Sequence, residues 1–130
     1  MSIINQFRLD NKVAVITGGG RGIGAACARA FAEAGADVVL AARTQSQLDA
    51  VAADIKAMGR RALTVVTDVM EEEQLQRLVD ATIEEFGRLD ILVNNAGGFP
   101  PKPMADTSLK EFDAAFRFNV STAFALTRIA

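Results

Sequence analysis

A glycine-rich turn carries the strongest chemical signal in this sequence, and it directly follows the apolar run at residues 13–16. Glycine has no Cβ, so the backbone can turn tightly here and a ligand can approach it closely. A helix that begins after such a turn directs unpaired N–H groups and the positive end of its dipole towards it. This order of elements predicts a phosphate cradle, whose natural occupant is a pyrophosphate. The residues predicted to form it are Thr17, Gly18, Gly20, Arg21, Gly22, Ile23 and Gly24.

The spacing of these glycines is unusual. Gly18, Gly22 and Gly24 read G-x-x-x-G-x-G, whereas the widespread dinucleotide fingerprint is G-x-G-x-x-G and the P-loop is G-x-x-x-x-G-K-[ST]. The turn fits neither pattern, and no Lys directly follows it. An ordinary strand-to-helix turn is the alternative, but the strand before it, the helix after it and the leading Thr17 favour phosphate binding.

The composition narrows the class of protein. The 130 residues are half hydrophobic with a net charge of -2, which indicates at most one compact domain, or part of one, and argues against a nucleic-acid partner. One Cys and no His make an internal disulfide impossible and argue against a metal site. The first residues lack the apolar core of a signal peptide, and no apolar run is long enough to span a membrane. We therefore expect a cytoplasmic protein without a membrane partner.

Four strand–helix units follow one another along the chain. The strands are predicted at 13–17, 38–42, 62–66 and 91–93, each as a continuous apolar run. Such runs are typical of a parallel sheet that is covered on both faces. The regular alternation of strands and helices predicts a Rossmann-like, doubly wound α/β fold.

The helices are predicted between and after these strands. The first helix spans 22–34. The second is predicted to begin with a capping box of Thr44 and Gln47, and the fourth with a capping box of Ser108 and Glu111. The fourth is predicted to run to the last residue. The side chains predicted on the apolar face of the first helix are Ile23, Cys27, Ala30, Phe31 and Ala34.

The 130 residues are expected to be the amino-terminal part of a larger dinucleotide-binding domain. In a doubly wound order the fourth strand, 91–93, would form a sheet edge, and it carries none of the residues that protect native edges. The sequence of the fourth helix also shows no C-capping residue before its end at Leu126-Thr127-Arg128-Ile129-Ala130. Further strands beyond the fourth would explain both features.

Three motifs at these separations resemble the short-chain dehydrogenase/reductase family, and the match covers the whole chain. They are the turn at 17–24, the run Asn94-Asn95-Ala96-Gly97 after the fourth strand, and Asn119 on the fourth helix. Asp68-Val69 after the third strand adds a weaker point.

The resemblance implies a nicotinamide dinucleotide site at the carboxyl ends of the strands, where open α/β sheets bind ligands. It implies that Asn94 holds neighbouring strands together and that Asn95 and its neighbours line the nicotinamide ribose. Asp68 could form a hydrogen bond with the adenine amino group, and the alternative is that its side chain caps the third helix. Asn95 could instead have a purely local role in the conformation of its own turn. The family uses the residue matching Asn119 to hold a water in a proton relay; a structural hydrogen bond of its amide is the alternative.

The end of the second strand distinguishes the two cofactors in this family. NAD-selective members carry an acidic residue there, which bonds the adenosine ribose and repels a 2′-phosphate. Here that place is Ala42, followed by Arg43 and Thr44, with Arg21 in the glycine turn and Asp37 at the opposite strand end. Because two guanidiniums can clamp a phosphate, NADP is the expected cofactor and NAD the alternative. The alternative is that Arg43 is a solvated loop residue without a role in cofactor binding.

The family resemblance also implies a reaction, the interconversion of an alcohol and a ketone by hydride transfer. The proton donor in the family is a Tyr, assisted by a Lys four residues later and by a Ser. This chain contains no Tyr, so we expect the catalytic segment to lie beyond residue 130. A non-catalytic dinucleotide-binding module, or an incomplete fragment, is the alternative.

The loop at 97–103 carries three prolines and resembles the corresponding loop of the 7-alpha-hydroxysteroid dehydrogenases within the family. This favours a bulky apolar alcohol or ketone as substrate, although the loop could merely lead away from the fourth strand. The fourth helix carries an apolar stripe of Phe112, Phe116, Val120 and Ala123. In related tetramers this helix packs on a partner subunit, so a homo-tetramer is expected. The alternative is that the apolar stripe packs in the chain's own core.

Overall fold

The structure, a computed structural model, describes residues 2–130 and contains one parallel sheet. The predicted Rossmann-like α/β fold is confirmed, with strand order β3-β2-β1-β4. The strands are β1 Val13–Thr17, β2 Asp37–Ala42, β3 Ala62–Val66 and β4 Ile91–Val93. The helices are α1 Ile3–Gln6, α2 Gly22–Glu33, α3 Gln45–Ala57, α4 Glu72–Phe86, α5 Leu109–Phe116 and α6 Thr122–Ile129.

The core lies on both faces of the sheet because successive side chains of a strand point to opposite sides. On one face, Ile16 and Leu40 pack against buried residues of α2 and α3. On the other face, Val15 and Val39 pack against α4 and against Leu126 of α6. Residues of β1 are at most 2% exposed, which explains why that strand reads as one apolar run.

Carboxylates fix the amino ends of the strands, away from the glycine turn. Asp90 accepts a hydrogen bond from the backbone N–H of Val13 at 2.9 Å and two from the guanidinium of Arg88 at 2.7 Å. Asp37 pairs with Arg61, whose guanidinium carbon also lies 4.7 Å from the ring centre of Phe86. The hydrogen bond from Arg88, followed by that from Val13, lowers the pKa of Asp90.

The predicted apolar face of the first helix is wrong in part. Ile23 is 76% exposed, and Ala30 is exposed as well. The buried face is instead formed by Ala25, Ala28 and Ala32, with Cys27 and Phe31 packed beside it. Small alanine side chains let α2 lie close to the sheet, and this rotates the larger Ile23 out of the core.

Two further predictions about the helices differ from the structure. Thr44 is the N-cap of α3, but its side chain caps no backbone N–H, so the capping box with Gln47 is absent. The fourth predicted helix is helical over residues 109–129, but it contains an unpredicted π-helical turn at 117–121, called the π turn below, between α5 and α6. The capping box of Ser108 and Glu111 is confirmed at the start of α5.

Two short elements were not expected from the sequence, namely α1 and a 3-10 turn at Met104–Asp106. The N-cap Ser2 supports α1 by accepting a hydrogen bond from the N–H of Ile4. None of the helices found in residues 2–130 combines the length and apolar character needed to cross a membrane.

Candidate functional site: a cleft at the carboxyl ends of the strands

Thr17, the last residue of β1, joins the glycine turn to the segment after β4. Its side chain is buried, and its Oγ1 accepts hydrogen bonds from the backbone N–H groups of Asn95 and Ala96, both at 3.0 Å. The amide of Asn95 in turn donates to the carbonyl oxygen of Gly18 at 3.2 Å. The two loops predicted to form the cofactor site are therefore one hydrogen-bonded unit.

The unusual glycine spacing has a steric and conformational reason. Gly18 has φ +64°, and a Cβ there would lie 2.7 Å from the amide nitrogen of Asn95. A Cβ on Gly24 would collide with the carbonyl oxygen of Gly18, because the first turn of α2 lies directly on the glycine turn. Gly22 has φ +57° but open space around it, so it is favoured for its left-handed backbone alone.

A cleft of about 1000 Å³ opens above these loops. All the predicted cofactor-binding residues line it except Thr17 and Gly24, which lie beneath its floor. Asn119 does not line it either. The structure thus brings together the lining residues Gly18, Gly20, Arg21, Gly22, Ile23, Arg43, Thr44, Asp68, Val69, Asn95, Ala96 and Gly97.

Two arginines supply positive charge to the cleft at the end of β2. Arg21 and Arg43 both line it and are exposed, and neither guanidinium forms an ion pair within the described part of the chain. Ala42 and Thr44 line the same end. Since Asp37 is held by Arg61 at the far end of β2, the near end presents no carboxylate from that strand.

Asp68 lies at the end of β3, where it has a local structural role. One carboxylate oxygen accepts a hydrogen bond from the N–H of Met70 at 3.0 Å, and the N–H of Asp68 donates to the side chain of Gln74. The same residue lines the cleft. Met70 precedes α4, whose N-cap is Glu71 without a side-chain cap, so the carboxylate of Asp68 holds the loop before the helix and does not form the predicted helix cap.

Asn119 lies in the π turn, and its side-chain amide forms three hydrogen bonds with the backbone. It donates to the carbonyl oxygen of Ala115 at 2.8 Å and to that of Gly98 at 3.0 Å, and its oxygen accepts from the N–H of Gly98 at 2.8 Å. In a regular α-helix the carbonyl of Ala115 would accept from the backbone N–H of Asn119, so this side chain enters the hydrogen-bond ladder where the π turn lies. The structural alternative for Asn119 is therefore present in the structure.

Asn94 has a different contact from the one that the family resemblance implies. Its amide donates to the hydroxyl of Thr127 on α6 at 3.0 Å. Thr17 and Asn95 instead connect β1 to the segment that follows β4.

The sequence reasoning missed several residues of the cleft wall. A usable signal existed for α5, because Ala114 and Phe118 are four residues apart and share a helix face. Gln47 was assigned to a cap, yet its side chain lies beside Gly20. The lining residues that no sequence pattern placed at the site are Ala41, Gln47, Thr67, Met70, Glu111, Ala114, Ala115 and Phe118.

The sequence profile of the family "short chain dehydrogenase" matches residues 12–130. The chain belongs to the short-chain dehydrogenase family. It is 58% identical over 125 residues to an uncharacterized oxidoreductase of Mycobacterium tuberculosis, covering 96% of this chain and 48% of the relative. The predicted family membership is confirmed.

Solved structures of the family superimpose closely. A 7 alpha-hydroxysteroid dehydrogenase complexed with NADH and 7-oxo glycochenodeoxycholic acid gives a TM-score of 0.93 at 40% identity, covering 99% of this chain and 50% of the other. A short chain dehydrogenase of Burkholderia cenocepacia in complex with NADP gives 0.87 at 41% identity, covering 95% and 51%. The chain therefore spans about half the length of the short-chain dehydrogenases it matches.

Proposed function

We propose that this chain is the cofactor-binding half of an NADP-dependent short-chain oxidoreductase that interconverts an alcohol and a ketone. The observation that carries the NADP preference is the pair of free guanidiniums, Arg21 and Arg43, at a strand end without a carboxylate. The solved relatives include both an NADP and an NADH complex, so the preference has to come from this chain's own residues.

The residues present fit a dinucleotide. Side chains at Gly18 or Gly24 would fill the turn or displace it, and the cleft of about 1000 Å³ is at the upper end of the usual volume for ligand sites. The N–H groups at the start of α2 would hold the pyrophosphate, and Arg21, Arg43 and Thr44 the 2′-phosphate. Asp68 and Val69 would face the adenine, and residues 95–97 the nicotinamide ribose. The bound cofactor supplies or accepts the hydride.

The proton donor would come from outside these 130 residues, since the chain contains no Tyr. We propose that a Ser and a Tyr-x-x-x-Lys segment of the whole protein complete the site. Within this chain Asn119 would contribute by fixing the backbone of Gly98 beside the cleft. Because both N–H groups of its side-chain amide are occupied, a relay water would have to donate to its side-chain oxygen or use its backbone groups.

The first experiment measures dissociation constants of NADPH and NADH for the chain and its R43A and R21A variants. A hydrogen bond to a charged group is worth about 1.5–3 kcal/mol, so each loss should weaken NADPH binding roughly ten- to a hundredfold. NADH affinity should stay unchanged. R77A is the matched control, because Arg77 is an exposed arginine of α4 outside the cleft. Equal affinities of the unmodified chain for the two cofactors would refute the NADP assignment.

A homo-tetramer is the proposed assembly of the whole protein. Phe112, Phe116, Val120 and Phe124 lie on α5, the π turn and α6 and are each at least 46% exposed. An apolar surface of this kind is typical of a subunit interface. Sedimentation of the F116E variant should show smaller particles than the unmodified protein, and unchanged particles would argue against this surface.

For the substrate, we propose a bulky apolar alcohol or ketone, as in the 7 alpha-hydroxysteroid dehydrogenase relative. Phe99 and Phe118 line the cleft together with the small residues Ala114 and Ala115. A turnover assay of the whole protein with a steroid ketone and with a short aliphatic ketone tests this, and a preference for the short ketone would contradict it.

A further inference from the structure

The segment at 98–107, called the strap below, leads from β4 to α5 along the edge of the cleft. It is fixed at its start, where Asn119 bonds both the N–H and the carbonyl of Gly98. It is fixed again at Lys102, whose Nζ lies 2.8 Å and 2.9 Å from the two carboxylate oxygens of Glu111 on α5. Phe99 lies between these two points of attachment.

Glu111 is held in place for this ion pair. Its carboxylate also accepts a hydrogen bond from the N–H of Ser108 at 2.9 Å, as part of the capping box of α5. Lys102, and then this N–H, lower the pKa of Glu111. The carboxylate that receives Lys102 is thus anchored to the rigid end of a helix.

The strap has few internal freedoms, so a single attachment restrains its neighbours. It contains Pro100, Pro101 and Pro103, whose rings fix φ. The hydroxyl of Thr107 also donates to the carbonyl of Pro103 at 2.9 Å. With Gly98 and Lys102 attached and two prolines between them, the position of Phe99 depends on both attachments.

Phe99 forms part of the cleft wall, which Glu111 of α5 also lines. It is 44% exposed and lines the cleft with Ala114, Ala115 and Phe118. The rings of Phe99 and Phe118 and the methyl groups of Ala114 and Ala115 give this part of the cleft wall an apolar surface. The small alanine side chains leave space for a ligand beside the rings. Such a surface suits a flat apolar ring system, whose burial is favourable in proportion to its area.

We propose that Lys102 and Glu111 are positioning residues that hold Phe99 in the cleft wall, and that this wall selects ketones with extended flat rings over small ketones. The inference rests on the proposed function, to which it adds the residues that set the substrate class.

The position of Phe99 is tested first, without any cofactor. The chain has no Trp and no Tyr, so F99W places a unique fluorophore on the strap, and acrylamide quenching reports its accessibility. Removing an exposed ion pair should raise the ratio of released to attached strap about two- to fivefold, and so raise the quenching constant in K102Q and E111Q. E111Q keeps a residue that can complete the capping box. K102R should retain low quenching, and K110Q, an exposed neighbour on α5, should leave it unchanged.

Ligand selection is tested on the whole protein without F99W, saturated with NADP so that no hydride is available for turnover, by calorimetric titration with a four-ring steroid ketone and with cyclohexanone. The dissociation constant of the steroid ketone should rise in K102Q and E111Q, by at most about fivefold, while that of cyclohexanone stays the same. Equal quenching in all variants, equal weakening of both ketones, or no binding of the steroid ketone would overturn the inference. Failure of NADPH to bind would instead refute the proposed function, and the quenching measurement would still decide whether the ion pair positions Phe99.

Discussion

Replacing Gly24 with alanine should destabilise the chain, although alanine ordinarily stabilises a helix by about 1 kcal/mol relative to glycine. Gly24 is buried in the first turn of α2. An added Cβ would collide with the carbonyl oxygen of Gly18 and lie 2.5 Å from the amide nitrogen of Asn95. The sign of the effect is therefore opposite to that expected from helix propensity.

The magnitude follows from how far the two elements must separate. The Cβ would lie 2.8 Å from the carbonyl carbon of Gly18, and an ordinary contact between carbon atoms is about 3.5–4.0 Å. The start of α2 must therefore retreat by roughly 1 Å from the glycine turn. Overpacking of this kind costs about 1–3 kcal/mol, which leaves a net loss of up to about 2 kcal/mol after the gain in propensity. Losing one hydrogen bond to the phosphates would weaken NADPH binding at least about tenfold.

Urea denaturation followed by far-UV circular dichroism measures the stability, and NADPH titration measures the affinity. Gly59 provides the control, since its φ is +83° and nothing lies within 4 Å of an added Cβ. G59A should therefore lose about 1–2 kcal/mol through backbone strain alone and keep its affinity for NADPH. The reasoning fails if G24A binds NADPH like the unmodified chain, or if G59A loses as much affinity as G24A.

Two further predictions concern the ties at either end of the sheet. T17V should lower the free energy of unfolding by about 1–3 kcal/mol, because it removes the hydroxyl that accepts hydrogen bonds from Asn95 and Ala96. T17S keeps a hydroxyl and should retain most of the stability. If T17V unfolds at the same urea concentration as the unmodified chain, this role of Thr17 is refuted. The lowered pKa of Asp90 means that its contribution is present above the unfolded Asp pKa of about 4 and is lost as pH falls through the folded value. In D90N the free energy of unfolding, measured by urea denaturation, should fall less steeply as the pH drops below about 4. D113N, at an exposed site on α5, should show the same pH dependence as the unmodified chain.

The fold and most of the cleft could be predicted from sequence because both depend on local signals. Apolar runs identified the four strands, and their carboxyl ends necessarily meet at one edge of a parallel sheet. The parts that failed depend on tertiary distance. Nothing local shows that α2 approaches the sheet through alanines and so exposes Ile23. Nor does the sequence pattern show that the side-chain amide of Asn119 bonds the carbonyl of Ala115 within a π turn.

The residues of the cleft consequently fall into two groups. Substitutions in the first group should change cofactor affinity alone, and substitutions in the second should change both affinity and stability. Arg21 and Arg43 are exposed and form no ion pair in the described residues, so substitutions there should change cofactor affinity with little change in stability. Thr17 and Asn95 hold the two loops together by hydrogen bonds, and Gly24 allows α2 to lie against the turn. A loss of binding at these positions reflects a displaced cradle as much as a lost contact. Recognition of the cofactor is therefore best measured at the arginines, with stability determined for every variant.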